Sequence, residues 1–198
     1  MKTRPSLHPG RRFNSNRSVE RIRKRLPPLK GRSLRIRFMP GLTVGSGKLY
    51  SQRSCGQPVY AGSYIRKREI LLDRELKSRP KELARILTHE LFHFAWVRLG
   101  NPARRSYEKL VRREFKNHAR GELGWSAESR KSTLTDLPPP TSRNLLRWRE
   151  YICESFCDTA AWLYSGVRRH DEFTLGARYR ARRAEWFSET FRNRAISI

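Results

Sequence analysis

The chain has 198 residues, of which 37% are apolar, and its 5 Trp, 7 Tyr and 9 Phe can fill one modest core, which excludes wholesale disorder. Lys and Arg outnumber Asp and Glu by 44 to 18, and the resulting formal charge of +26 attracts polyanions such as nucleic acids, anionic membranes or acidic proteins. No segment approaches the roughly 20 apolar residues of a membrane span, so we expect none.

The first 32 residues are predicted to form a flexible basic arm. Prolines and glycines occur there among dense arginines, and residues 1–37 carry 13 Lys or Arg against the single acid Glu20. Such a composition disfavours a packed structure. We interpret the arm either as a solvated tail or as a segment that binds nucleic acid, and residues 33–198 as one domain.

Cysteine usage gives an expectation about the compartment. The chain has 3 cysteines, an odd number that does not indicate a paired disulfide framework. The N-terminal region is basic and lacks the apolar stretch of a secretory signal. We therefore expect a cytoplasmic protein, in which reduced thiols are the rule. The sequence does not indicate the oligomeric state.

Three strands are predicted after the arm. Leu34, Ile36 and Phe38 alternate with arginines, which is typical of a half-buried strand. Two further strand-like segments cover 58–65 and 68–73. Between the first and second strands, three glycines indicate a loop: Gly41, Gly45 and Gly47.

Helices are predicted for most of the remaining chain. The first lies between Ser78, its candidate cap, and Gly100, where the helical pattern stops. Three others are predicted over Ser106–Lys116, from Thr141 or Ser142 to about Ser165, and over Leu175–Phe191. Residues 117–142 are rich in Gly, Ser and Pro and indicate a long connection. The element order predicts an α+β fold, with a sheet of three or slightly more strands packed on the first of these helices and on the later ones.

The sequence His89-Glu90-Leu91-Phe92-His93 lies inside that first helix. Residues four apart share one helix face, so both histidines can present a ring nitrogen to one zinc ion. Glu90 adjoins them and can reach a water bound to the metal without being a ligand. The motif therefore predicts a single zinc ion, whose bound water Glu90 activates as a general base.

A third protein ligand is expected, because catalytic zinc usually has three protein ligands and one open position. The candidates are Glu154, His118 and His170, of which Glu154 is favoured. It lies in a predicted helix with Asp158 four residues further on, on the same face. Asp158 can then accept the other ring N–H of a liganding histidine, as carboxylates near zinc sites usually do.

The pairing of His89-Glu90-x-x-His93 with the downstream Glu154-x-x-x-Asp158 resembles the gluzincin branch of the zincin-type zinc metallopeptidases. The resemblance covers two helices and the preceding strand. It implies a small zincin-like domain in which the two histidines and Glu154 hold the zinc ion, Glu90 is the catalytic base and Asp158 orients His89.

One further detail follows from this likeness. Gluzincins stabilise the oxyanion with a Tyr, His or Arg, for which Tyr151 and His118 are the candidates here.

Cys153 and Cys157 are also four residues apart and can be read as thiolate ligands. On a helix they lie about 100° away from Glu154 and Asp158, so we expect small buried thiols instead.

The leading hypothesis is a zinc-dependent metallopeptidase that hydrolyses peptide bonds in a protein or peptide substrate. The strand Arg68–Asp73 is expected to be the edge that binds an extended peptide. Two alternatives stay open. One is a nucleic-acid-binding protein with a structural or degenerate zinc site, or a protease directed to nucleoproteins by its basic arm. The other is a hydrolase that acts on something other than a peptide bond.

Overall fold

The computed structural model describes residues 17–45, 48–51, 56–134 and 144–198. Its helices are α1 (Arg17–Arg23), α2 (Pro80–Arg98), α3 (Asn101–Lys116), α4 (Trp125–Ser132), α5 (Leu145–Tyr164) and α6 (Ala177–Phe191). Its strands are β1 (Leu29–Lys30), β2 (Arg35–Met39), β3 (Thr43–Gly45), β4 (Lys48–Tyr50), β5 (Gln57–Pro58), β6 (Ala61–Tyr64), β7 (Glu69–Asp73) and β8 (Ile196–Ser197).

The main sheet has three strands in the order β2-β7-β6, packed against α2. β2 runs parallel to β7 with Ile36 opposite Ile70, and β6 runs antiparallel to β7 with Ser63 opposite Ile70. Ile36, Ile70 and Leu72 are buried in the same core cluster as the apolar residues of α2. The predicted α+β fold with a three-stranded sheet is thereby confirmed.

The predicted peptide-binding edge is wrong. β7, which was expected to be that edge, is the central strand and pairs on both sides. The apolar sequence of β7 fits this position, because Ile70 and Leu72 are completely buried in the core, as is typical of a central strand. Within the described part of the chain, the edge strand beside the motif helix is β6.

The glycine-rich segment predicted to be a loop forms a second, small sheet in the order β4-β3-β5. Its strands are antiparallel, with Val44 opposite Leu49. This sheet closes over β6: a Cβ atom built on Gly62 would lie only 2.4 Å from Leu49 Cδ1. Gly47 and Cys55 lie outside the described residues.

α2 is the central helix and is buried along most of its length, where it packs on α5. Pro80 occupies its first turn as predicted, but Ser78 is not its cap. The Ser78 hydroxyl donates instead to the carbonyl of Glu75 in the preceding 3-10 turn, and Arg79 stands at the cap position. Among the described residues, no helix is both long enough and apolar enough to cross a membrane.

The second half of the predicted basic arm belongs to the folded body. Val19, Ile22 and Leu26 recur at helical spacing among the arginines, and all three are buried in the core. β1 pairs in parallel with β8 near the end of the chain. The boundary predicted at residue 32 is therefore wrong for residues 17–32, while residues 1–16 lie outside the described residues.

The later helices differ from the prediction mainly in α4, which lies within the expected long connection. α3 also begins earlier than expected, with Pro102 in its first turn. α5 and α6 lie where helices were predicted, but the candidate caps Thr141 and Ser142 lie outside the described residues, and Asn144 holds the cap position of α5. Gly166, at a φ of 77°, follows α5 in a conformation that glycine adopts readily.

Candidate metal centre

Three side chains converge where α2 and α5 cross. The Nε2 atoms of His89 and His93 are 3.1 Å apart. Glu154 Oε2 lies 3.2 Å from His89 Nε2 and 3.8 Å from His93 Nε2. The two histidines come from successive turns of α2 and Glu154 from the facing side of α5. The three residues that the sequence favoured as ligands are thus brought together.

The spacing of these three donor atoms suits a small divalent cation. Four ligands at about 2.0–2.1 Å around a tetrahedral centre are themselves roughly 3.3–3.4 Å apart. The observed separations of 3.1, 3.2 and 3.8 Å bracket that value. The described residues therefore contain a group that can hold a metal ion.

Cys157 offers an alternative third donor. Its Sγ and the ring nitrogens of His89 and His93 all lie within 4.8 Å of one another. The carboxylate oxygen of Glu154 is closer to both imidazoles than that limit, at 3.2 and 3.8 Å. Glu154 and Cys157 are therefore both within reach of the position between the two imidazoles.

The electrostatics of the centre favour a cation. Burial raises the pKa of Glu154, but the hydrogen bond with His89 and the charges of His93 and Arg130 outweigh it and lower the pKa to about 2. Burial lowers the pKa of His89, yet the carboxylates of Asp158 and Glu154 hold it well above its ordinary value. The carboxylates around the imidazoles thus favour positive charge at this position.

Asp158 fixes the orientation of His89. Its Oδ1 lies 2.7 Å from His89 Nδ1, and its Oδ2 accepts a hydrogen bond of 2.9 Å from the backbone N–H of Ala127 in α4. Asp158 is only 2% exposed. Because Nδ1 is engaged in this way, Nε2 is the ring atom directed at Glu154 and His93. The contact is the one that the resemblance to gluzincins implied.

Asp158 has room only because residue 124 is a glycine. A Cβ atom on Gly124 would lie 2.3 Å from both Cγ and Oδ1 of Asp158. The next residue, Trp125, donates its backbone N–H to Glu172 Oε2 at 2.7 Å. Two carboxylates distant in sequence therefore bind the amides at the start of α4, where the helix has no side-chain cap of its own. The sequence analysis missed this support.

Glu90 is held by a residue of the edge strand. The hydroxyl of Ser63 in β6 donates to Glu90 Oε2 at 2.5 Å. Glu90 is 8% exposed, and this bond engages one of its two carboxylate oxygens. Ser63 is the second contact that the sequence analysis missed, because nothing in a four-residue strand indicates which side chain will face the motif helix.

Cys153 meets the other histidine. Its Sγ lies 3.5 Å from His93 Nδ1. The hydrogen bond from Cys157, followed by that with His93, lowers the pKa of Cys153, whereas burial raises the pKa of Cys157. Cys157 lies in the core, as expected of a small buried thiol, and Cys153 packs at its border. The sequence did not indicate that both thiols also lie beside the histidines.

No protein-family model matches this chain, and neither does any curated protein or any solved structure. The likeness to gluzincins is therefore carried by the two sequence motifs and by the side-chain geometry within them.

The predicted oxyanion stabilisers are not brought to the centre. Tyr151 is 1% exposed and donates its hydroxyl to Glu122 Oε1, because it projects from a different face of α5. His118 follows α3 in the left-handed region, at a φ of 50°, and its side chain is exposed. His170, the other alternative ligand, lies 2.6 Å from Glu82 Oε1 through its Nε2.

Tyr151 belongs instead to a second group of buried charges, which we call the Arg183 cluster: Arg183, Glu114, Glu122, Lys131 and Tyr151. Arg183 is completely buried and donates to Glu114 Oε2 at 2.7 Å and to Glu122 Oε2 at 2.8 Å. Lys131 Nζ lies 3.4 Å from Glu122 Oε1. Two cations therefore face two carboxylates, which ties α3, α4 and α6 together.

Proposed function

We propose that this chain is a zinc-dependent metallopeptidase. The observation that carries the proposal is the convergence of His89 Nε2, His93 Nε2 and Glu154 Oε2 within 3.1–3.8 Å of one another. Two imidazoles and one carboxylate form a donor set typical of catalytic zinc, whereas magnesium and calcium prefer oxygen ligands alone. Three donors rather than four leave one coordination position for water or substrate.

In this mechanism His89, His93 and Glu154 hold the ion, and Asp158 keeps the His89 ring in place. Bound zinc supplies Lewis acidity, which polarises a substrate carbonyl and lowers the pKa of a water molecule toward neutrality. Glu90 takes the proton of the attacking water on its other carboxylate oxygen, Oε1, and later gives it to the leaving amine. Ser63 binds the other oxygen, Oε2, and so fixes the carboxylate in one orientation.

The position of β6 favours a peptide as the substrate. Within the described residues no strand pairs with the outer edge of β6, and its Ser63 contacts Glu90 directly. An extended peptide that pairs with this edge would carry its backbone amides past the catalytic base. β6 thus takes the role that the sequence analysis gave to Arg68–Asp73. A hydrolase for a compact, non-peptide substrate has no need of such an edge.

The proposal is tested with Glu90→Gln, which keeps the size of the side chain and removes its basicity. We expect wild type and variant each to carry about one zinc ion per chain, and hydrolysis of a mixed peptide library to fall by about 10²–10⁴-fold in the variant. Glu189→Gln, on the exposed face of α6, is the matched control and should change neither property. Full activity in Glu90→Gln, or wild type without bound zinc, would refute the mechanism.

A further inference from the structure

A basic cavity of about 660 Å³ lies at the N-terminal end of α2. Three segments line it, namely α1, the first turn of α2 and the residues that follow α5. Five of the lining side chains are cationic: Arg21, Arg25, Lys81, Arg168 and Arg169. No acidic residue lines the cavity in the part of the chain that the structure describes.

The charge of this cavity is not neutralised from within the protein. None of the five cations forms an ion pair with any described residue. The acid of the first turn of α2, Glu82, is engaged elsewhere, because Arg85 Nη2 and His170 Nε2 lie 2.8 and 2.6 Å from its carboxylate. α2 begins without a side-chain cap, and the partial positive charge of its N-terminus adds to the field. Like charges gathered in this way repel one another unless an anion binds among them.

One cation is held in place before any ligand arrives. Arg25 Nη1 donates to the carbonyl of Ser165 at 3.1 Å. It can do so because residue 166 is a glycine, since a Cβ atom there would lie 2.4 Å from Arg25 Nη1. The guanidinium therefore links the turn after α1 to the segment after α5, and less conformational entropy is lost when it binds an anion.

We propose that this cavity binds the phosphodiester backbone of a nucleic acid strand. The lining offers cations but no aromatic side chain to stack on a base and no Asn or Gln to read a base edge. Ile22, Ala84 and Val167, which are buried, make up the apolar part of the wall. Recognition is therefore directed at phosphate groups and is independent of base sequence.

The lining of the cavity favours a nucleic acid over an anionic membrane. A binding face for lipid exposes large apolar side chains that enter the bilayer, and none of the exposed large hydrophobic residues of the described chain lines the cavity.

The cavity lies close to the candidate metal centre along the same helix. Lys81 precedes His89 by eight residues, which corresponds to about 12 Å along the axis of α2. A nucleic acid in the cavity would hold proteins bound to it near the proposed catalytic residues. The binding itself requires neither zinc nor Glu90, so it can be measured independently of any hydrolysis.

The test compares two triple variants of the full chain that have the same charge. The cavity variant is Lys81→Gln, Arg168→Gln and Arg169→Gln, and the control is Arg105→Gln, Arg147→Gln and Arg149→Gln, whose residues are exposed and outside the cavity. Affinity for a labelled 20-nucleotide single strand is measured over a range of salt concentrations in the presence of a chelator. Thermal unfolding verifies that both variants are folded.

We expect the cavity variant to bind on the order of tenfold more weakly than the control and to lose about 2 units from the slope of log affinity against log salt, because each phosphate contact contributes about 0.7. A strand with a neutral methylphosphonate backbone should bind neither variant nor wild type. Equal losses in both variants would overturn the proposal, as would failure of wild type to bind. Preferential binding to vesicles of anionic lipid, weakened only in the cavity variant, would overturn it in favour of a membrane.

Discussion

Two groups of buried charges lie on neighbouring faces of α5 and differ in one respect. The Arg183 cluster balances itself, since two cations face two carboxylates and nearly every polar atom is engaged. The candidate metal centre does not balance. Its carboxylates, Glu154 and Asp158, surround two imidazoles, and within the described part of the chain the only Lys or Arg paired with them is Arg130, at 3.5 Å from Glu154 Oε1.

The difference teaches how to separate a structural charge cluster from a binding site. Buried charges are costly unless they are compensated, so a group that is compensated from within needs no ligand. In the metal centre the carboxylates of Asp158 and Glu154 raise the pKa of His89, because a proton on the imidazole compensates part of their negative charge. The Arg183 cluster holds the fold together, and the unbalanced group is where a cation belongs.

The largest expected effect tests which residue completes the metal centre. Glu154→Ala should weaken zinc affinity by more than the roughly 10–100-fold that is typical of a residue outside the ligand set. Cys157→Ala should leave it within severalfold of wild type, because Glu154 Oε2 already lies 3.2 Å from His89 Nε2 and completes the set of three donors. Competition with a chelating dye measures both. The opposite ranking would assign the ion to His89, His93 and Cys157.

A substitution in the Arg183 cluster is expected to lower the stability of the protein strongly and to leave its zinc content unchanged. Glu122→Gln leaves Arg183 and Lys131 with excess buried positive charge, and breaking such a buried pair costs about 3–5 kcal/mol in the free energy of unfolding. Urea unfolding of the metal-free protein measures the loss. Zinc content of the folded variant should be unchanged, and a loss of zinc would mean that the two groups are not independent.

Wild type and Glu122→Gln should also differ in how their free energy of unfolding depends on pH in the acidic range. Burial alone would raise the pKa of Glu122, but Arg183 outweighs it and lowers the pKa below its ordinary value of about 4.3. The stability that Glu122 contributes is therefore present above that value and is lost as the pH falls below it. As the pH falls below about 4, the free energy of unfolding of wild type should decrease by this increment, whereas that of Glu122→Gln should not. Parallel acid profiles for the two proteins would contradict this explanation.

The smallest of these effects concerns the support of His89. Asp158→Asn keeps the shape of the side chain but removes the charge that holds His89 Nδ1, so zinc affinity should fall by about 10–100-fold. The matched control is Asp171→Asn, at an exposed position after α5, which should bind zinc like wild type. An unchanged affinity in Asp158→Asn would show that the carboxylate serves α4 rather than the imidazole.

Local patterns in the sequence were enough for the sheet, the motif helix and the convergence of His89, His93 and Glu154. Helical and strand periodicity are properties of neighbouring residues, and a metal motif places two donors on one helix face by spacing alone. The sequence also led to Asp158, because a residue four positions from a ligand shares its face. Each of these inferences needed only residues that are close together in the chain, apart from the pairing of the two motifs.

The parts that were missed depend on contacts between distant segments. α4 was predicted to be part of a connection because its segment is rich in Gly, Ser and Pro. The amides at its start are bound by Asp158 and Glu172, which lie far along the chain. Ser63 could not be linked to Glu90 without the position of β6. Tyr151 failed as an oxyanion stabiliser for the related reason that closeness to Glu154 in sequence does not place it on the same face of α5.

Gly124 has a consequence for recognising other chains of this kind. Any side chain at that position would overlap Asp158, so α4 could not dock with its amide on the carboxylate that orients His89. A chain that shares the arrangement is therefore expected to combine three features in order: the two-histidine motif, an obligatory glycine at the start of a short helix, and the acidic pair. A search pattern that includes the glycine would discriminate such chains better than either motif by itself.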